Sequence, residues 1–346
     1  MATYDGLIDA LGLRGWCGET TDGPMTMAEL MARARGETTE DAATAWHDLP
    51  FPSLDALHES CAAIPRSRDM TEAVENGFLA IKDALKFVLD PITQPLSWAL
   101  DFSLEAFQAV PWFVMIPILT ALTWFAARRW GVTLLVLGSL LFLAFIDYYE
   151  DAMQTLSIIF VCTLISVALG VPIGIAMSRS AGLRRAVVPI LDMLQTLPTF
   201  VYLVPLIYLF SVTESKLYGI AIILYAIVPV IRLTDLGIRL VDPAVTEAAD
   251  AFGMTRRQKL WKVEVPLALP NIMAGVNQTI MMSLAMVVIA SLVSAPGLGV
   301  KVLAGIRNLE LGVGLIAGLG IVLLAVMLDR ASKAALERVD RSGGGA

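Results

Sequence analysis

The chain has 346 residues, 57% of them hydrophobic and only 16% charged, with a formal net charge of −7 and a mean hydropathy of +0.71. Soluble domains carry about 25% charged residues, so this composition argues against an ordinary soluble protein and for the bilayer as solvent. The charge is also split: residues 1–109 hold 7 Lys/Arg against 18 Asp/Glu, the remainder 18 against 14, and no basic patch with interleaved aromatics exists to bind nucleic acid.

Residues 1–68 form a polar, acidic extension with Pro24, Pro50, Pro52 and Pro65, expected to be loosely structured. Its first residues lack the basic start and apolar core of a signal peptide. Cys17 and Cys61 lie here and Cys162 in an apolar run; no CxxC or Cys/His spacing suggests a metal or cofactor. Cys17 and Cys61 could pair if the extension is periplasmic, but pairing needs a close Cα approach that sequence does not show, so two unpaired thiols are the favoured reading. Residues 69–109 follow as an amphipathic segment. Val74, Phe78, Ile81, Leu85 and Val88 recur at steps of three or four, and a second piece, Leu96 to Val110, continues after Pro91 and Pro95. Such helices lie on a membrane surface or pack on other segments.

From residue 110 to 330 the sequence reads as a transmembrane domain. Seven apolar stretches approach the roughly 20 residues a crossing requires: Val110–Ala127, Trp130–Ile146, Met153–Ser178, Val187–Phe210, Leu217–Ile231, Asn271–Ala295 and Val313–Leu328. Alternate loops, with the tail 331–346, hold 15 Lys/Arg, whereas the other set holds only Lys216, Lys301 and Arg307. Basic residues mark the cytoplasmic side. The C-terminus is therefore expected inside and, with seven spans, the acidic N-terminus outside. The fold class is an all-α polytopic membrane protein.

The most informative stretch is the polar loop 241–270, expected in the cytoplasm. Asp242 followed by Pro243 is a helix start, with an N-cap carboxylate and proline at the first helical position. Gly253 suits a left-handed C′ position. Thr255 and Gln258 match a capping box that opens a second short helix, which Pro266 and Pro270 are expected to end.

Glu247-Ala248-Ala249, then Gly253, then Val263-x-Val265-Pro266, resembles the EAA signature of ABC-importer permeases. The family prefers Ile and Leu where this chain has Val263 and Val265. Further segments, LDMLQTLPTFVYLVPLIYLF, VPVIRLTDLGIR, PNIMAGVNQTIMMSLAMVVIASLVSAPGLG and VLLAVMLDR, look like the ProW/OpuAB-type permeases for glycine betaine and proline betaine, over about residues 110–330. The resemblance implies an ABC type I importer permease fold of about seven transmembrane helices in the inner membrane. It also implies that Glu247, Ala248, Ala249, Gly253 and Pro266 form the coupling element for a separate ATPase subunit. The other implied partners are a second copy of the chain and a separate extracytoplasmic substrate-binding protein; the chain would carry no ATPase site or cofactor of its own. The cargo would be a quaternary amine such as glycine betaine, proline betaine or choline.

Polar residues inside apolar spans are costly and invite a functional reading. Asp192 and Gln195 lie one turn apart in the fourth span, and Asn277 and Gln278 early in the sixth. All four are candidates to line a translocation path, with interfacial or packing roles as the alternative. Asp235 is expected to pair with Arg232 at helical spacing. An ion-coupled secondary carrier would share broken helices and polar mid-span residues, but it has no need of an EAA loop. The fold would equally serve an ABC permease for another substrate.

Overall fold

The computed structural model describes residues 4, 8, 11–17, 51 and 53–343. The stretch expected to be loosely structured, with Pro24, Pro50 and Pro52, lies largely outside them. Among the described residues all regular structure is helical, and the chain divides into two compact units, 1–84 and 85–346.

The first unit holds α1 (Arg14–Cys17), α2 (Leu54–Ser60) and the start of α3 (Ser67–Ala109). Ser53 caps α2 by accepting from the Ala56 N–H. Cys17 and Cys61 are joined in a disulfide, with Cα atoms 4.7 Å apart, so the reading of two free thiols is corrected. The folded geometry that sequence could not supply is a small cluster in which Ile8, Cys17 and Cys61 are buried and Ile64 packs against them.

The second unit begins within α3, which runs unbroken through Pro91 and Pro95 where two pieces were expected. A proline inside a helix costs roughly 3 kcal/mol. Tertiary anchors over the following turns offset that cost. Buried Lys216 donates from Nζ to Asp90 (2.8 Å) and Gln94 (3.4 Å), and its N–H donates to Ser97 Oγ (3.2 Å). Leu100 is fully buried, and Ser157 donates to Ser103 across 2.8 Å.

α4 (Trp112–Ala127) follows at a 112° bend, and α5 (Trp130–Phe145) is another 16-residue apolar helix. At 1.5 Å per residue each is about 24 Å long, short of the roughly 30 Å hydrocarbon core. Four helical stretches are long and apolar enough to cross a membrane, and the bent pair α3–α4 makes up to five. They contain α6 (Tyr149–Arg179), α9 (Ser215–Arg239), α12 (Val265–Ala290) and α14 (Leu311–Gly343). The expected fourth span, Val187–Phe210, is broken into α7 (Ala181–Thr196) and the short α8 (Leu203–Leu209). Pro198 removes a donor and restricts Leu197, which stands at extended backbone angles. The remaining helices are α10 (Pro243–Ala251), α11 (Arg256–Lys259) and α13 (Leu298–Arg307).

α9 is the central helix, packed between α6 and α12. Lipid tails are as apolar as leucine, so helices in a bilayer associate through close packing of small residues. Here the approach is nearly backbone to backbone. A Cβ on Gly174 of α6 would sit 2.6 Å from Thr234 Cβ and 2.7 Å from the Ile231 carbonyl oxygen; one on Gly275 of α12 would sit 3.0 Å from Val230 Cα. Gly174→Val should therefore force the α6–α9 pair apart, costing about 1–3 kcal/mol and lowering the thermal stability of the purified protein. Gly138→Val on α5, where an added Cβ meets nothing within 4 Å, should leave the melting temperature unchanged. Equal melting temperatures for both variants would contradict the packing.

Candidate functional site

The loop between α9 and α12 is a compact, capped unit. Asp242 accepts from the Ala244 N–H at 2.9 Å and Pro243 occupies the first turn, so α10 starts where these residue types predict. α10 ends in a Schellman arrangement: Gly253 N–H donates to the Asp250 carbonyl (2.9 Å) and Met254 N–H to that of Ala249 (3.1 Å). Gly253 has φ +73°, a region that a Cβ disfavours. Thr255 and Gln258 form a reciprocal capping box, with Gln258 N–H to Thr255 Oγ1 at 3.3 Å and Thr255 N–H to Gln258 Oε1 at 2.9 Å. Lys259 of α11 reaches back to Asp250 of α10 across 2.7 Å. The two short helices are thus stapled by a turn, a cap and an ion pair.

Glu247 and Ala248 are exposed on α10, whereas Ala249 is buried. Phe252, beside the glycine, is 85% exposed, and Val245 is exposed as well. The loop therefore offers a carboxylate, a small residue and an aromatic ring side by side. Phe252 was not among the residues singled out in the sequence; its only signal there is an apolar ring in a polar loop.

The second helix does not end at Pro266. α11 passes through a π turn, Leu260–Glu264, directly into α12, giving one continuous stretch from Arg256 to Val293. The Val265 N–H bonds to the Leu260 carbonyl, five residues back. That wider turn falls where a proline ring at 266 would crowd the carbonyl of residue 262 in a regular helix, so the proline is absorbed. Glu264, written as the indifferent position between Val263 and Val265, is 5% exposed and paired with Arg179 at the end of α6.

The polar residues of the spans have specific partners. Asp192 of α7 is exposed and pairs with Arg232 of α9. Asp235 is buried and held by Arg239 (2.9 Å) and by Arg184 of α7 (3.2 Å), so its expected pairing with Arg232 is corrected. The reason is tertiary: α7 lies along α9 and presents Asp192 to Arg232, leaving Asp235 to Arg239 one turn on. Gln195 Nε2 approaches Met282 sulfur at 3.7 Å, and the Tyr202 hydroxyl approaches that of Met286 at 3.7 Å, beside the α7–α8 break. Asn277 donates to Asp329 of α14 (3.3 Å) and accepts from Ser332, while Gln278 is exposed. Gln195 is thereby placed near the sixth apolar stretch, whereas Asn277 is turned to α14. Among the described residues no group of His, Cys, Asp and Glu is arranged to hold a metal ion.

The fold is that of an ABC type I importer permease. An inward-facing structure of the MetNI methionine ABC transporter superposes with a TM-score of 0.51 at 21% identity, covering 56% of this chain and 95% of that one. Residues 166–341 match the model for binding-protein-dependent transport system inner membrane components. The glycine betaine/proline betaine transport system permease protein ProW of Escherichia coli is 38% identical over 300 residues, 85% of this chain and 80% of that protein. The glycine betaine transport system permease protein OpuAB of Bacillus subtilis is 43% identical over 222 residues, 64% of this chain and 78% of that one. This chain belongs to the family of binding-protein-dependent transport system inner membrane components, as a ProW/OpuAB-type multi-pass protein of the inner membrane.

The left-handed turn can be tested by itself. No atom lies within 4 Å of where a Gly253 Cβ would be, so substitution there strains the backbone without a clash. Gly253→Ala should loosen the turn by about 1–2 kcal/mol, a 5- to 30-fold rise in hydrogen exchange of the amides that close it. Gly253→Asn, which tolerates this region better, should exchange closer to the parent. Parent-like exchange in Gly253→Ala would contradict the assigned turn.

Proposed function

We propose that this chain is the membrane-spanning subunit of an ATP-driven ABC importer for a small quaternary amine such as glycine betaine, proline betaine or choline. The observation that carries the reading is the capped loop 242–264, which projects Glu247, Ala248 and Phe252 outward while both its ends run into crossing helices. An element that is rigid in itself and continuous with two spans suits the transmission of force from a bound ATPase. ATP hydrolysis belongs to that partner. The amine class is supported by the named substrates of the permeases OpuAB and ProW at 38–43% identity.

In this reading two copies of the chain stand over two ATPase subunits, embedded in lipid, and a separate extracytoplasmic protein delivers the solute. A trimethylammonium group donates no hydrogen bond and is best held by aromatic faces, a task assigned to the delivery protein. The loop 241–270 and the C-terminus face the cytoplasm, and the N-terminal extension faces the periplasm. The basic-residue asymmetry supports the cytoplasmic placement of the loop and C-terminus, and the Cys17–Cys61 disulfide supports the periplasmic placement of the extension, since disulfides persist in oxidising compartments. Glu247, Ala248, Ala249, Gly253 and Pro266 are the coupling residues. Ala249 and Gly253 set the shape of the element, and Pro266 lies where it becomes α12. We assign Gln195 and Gln278 to the path wall. Asp192 and Asn277 contribute through their pairs with Arg232 and Asp329, which set the positions of α7 and α14.

Reconstitution with an ATPase subunit and a binding protein tests the reading. Uptake of radiolabelled glycine betaine into proteoliposomes should require ATP and all three components. Glu247→Lys and Gly253→Asp should insert normally yet lower substrate-stimulated ATP hydrolysis and uptake at least tenfold, with less ATPase co-purifying. Uptake that follows an ion gradient without the ATPase would instead establish the secondary carrier.

A further inference from the structure

The Arg179–Glu264 pair lies outside every role described so far. Glu264 is the last residue of the π turn, and its carboxylate is buried, with the side chain 7% exposed. Its neighbours Trp261 and Lys262 are exposed. From Glu264 a stripe at four-residue steps, Glu264, Ala268 and Ile272, is buried; Ala268 and Ile272 pack with Ile238 of α9, beside Val171 and Ile175 of α6. The carboxylate therefore occupies the end position of an apolar packing stripe. A buried charge without a partner costs several kcal/mol, and the partner present is Arg179, the last residue of α6, where a cation also complements the helix C-terminus.

The loop is covalently continuous with α9 and α12 only. α6 is joined to it by no short segment, since 84 residues lie between Arg179 and Glu264 in the sequence. The ion pair ties that third helix to the base of the loop. The π turn contributes as well, because one extra residue in a turn changes the direction in which the next side chain points.

We infer that Glu264 and Arg179 are positioning residues for coupling: their ion pair makes α6 follow the loop when the loop moves. This rests on the coupling-loop reading above. Without the pair, α6 follows the loop only through its packing on α9 and α12, and ATP is hydrolysed with less solute moved.

The test is the ratio of glycine betaine transported to ATP hydrolysed, in proteoliposomes holding the complete complex. Glu264→Gln and Arg179→Met should still assemble with the ATPase and hydrolyse ATP, with the ratio reduced about tenfold. The exchanged pair, Arg179→Glu with Glu264→Arg, should recover at least half of the parent ratio, which a loss of packing alone would not allow. A parent ratio in both single variants would overturn the inference, as would an exchanged pair no better than either single variant. Failure of all three variants to insert or assemble would also overturn it, by assigning the pair to folding. Glu247→Lys run alongside separates the two levels. If it keeps parent coupling, the loop reading itself fails. If it is defective while the pair variants are normal, only the present inference fails.

Discussion

The near-contact of backbones around α9 is the constraint on which the rest of the structure depends. A bilayer supplies no hydrophobic drive between helices, so α6, α9 and α12 are held by how closely small residues let them approach. A Cβ added to Gly174 or Gly275 would stand only 2.7 or 3.0 Å from backbone atoms of α9, so neither position has room for one. Everything that gives the protein a direction is attached to that stack. The buried Lys216 cluster fixes α3 near one end of α9, and the ion pairs of Arg232 and Asp235 fix α7 near the other. The loop 242–264 leaves from α9 and returns through α12. A stack this close leaves its helices little room to slide past one another.

The loop was legible in the sequence because its instructions are local. Asp242-Pro243, Gly253 and the Thr255/Gln258 box each act within a few residues, and each stands in the structure as those residue types dictate. The apolar runs were equally legible where the helix is regular, as in α6 and α14. The run Val187–Phe210 reads as one span because hydropathy ignores backbone, yet Pro198 breaks it into two helices. Likewise, Pro266 reads as a terminator, while a π turn carries the helix past it.

What remained hidden were pairings set by tertiary approach. Lys216 reads as an isolated outer-loop charge, but two carboxylates and the Phe210 ring surround it in the fold. Asp235 has Arg232 at helical spacing, yet Arg239 and Arg184 hold it. Cys17 and Cys61 are 44 residues apart, and they meet in a cluster with Ile8 and Ile64 that only the fold assembles. Glu264 gives no sequence signal beyond being the one acid between two valines, and its significance depends on where α6 ends.

Docking of an ATPase subunit on the loop at Glu247, proposed above, is open to direct crosslinking. A photoreactive side chain placed at position 248, exposed on α10, and another at position 301, on α13, would be illuminated in the reconstituted complex. A crosslink to the ATPase subunit is expected from position 248 and none from position 301. A crosslink from 301, or its absence at 248 in a complex that hydrolyses ATP in response to substrate, would contradict it.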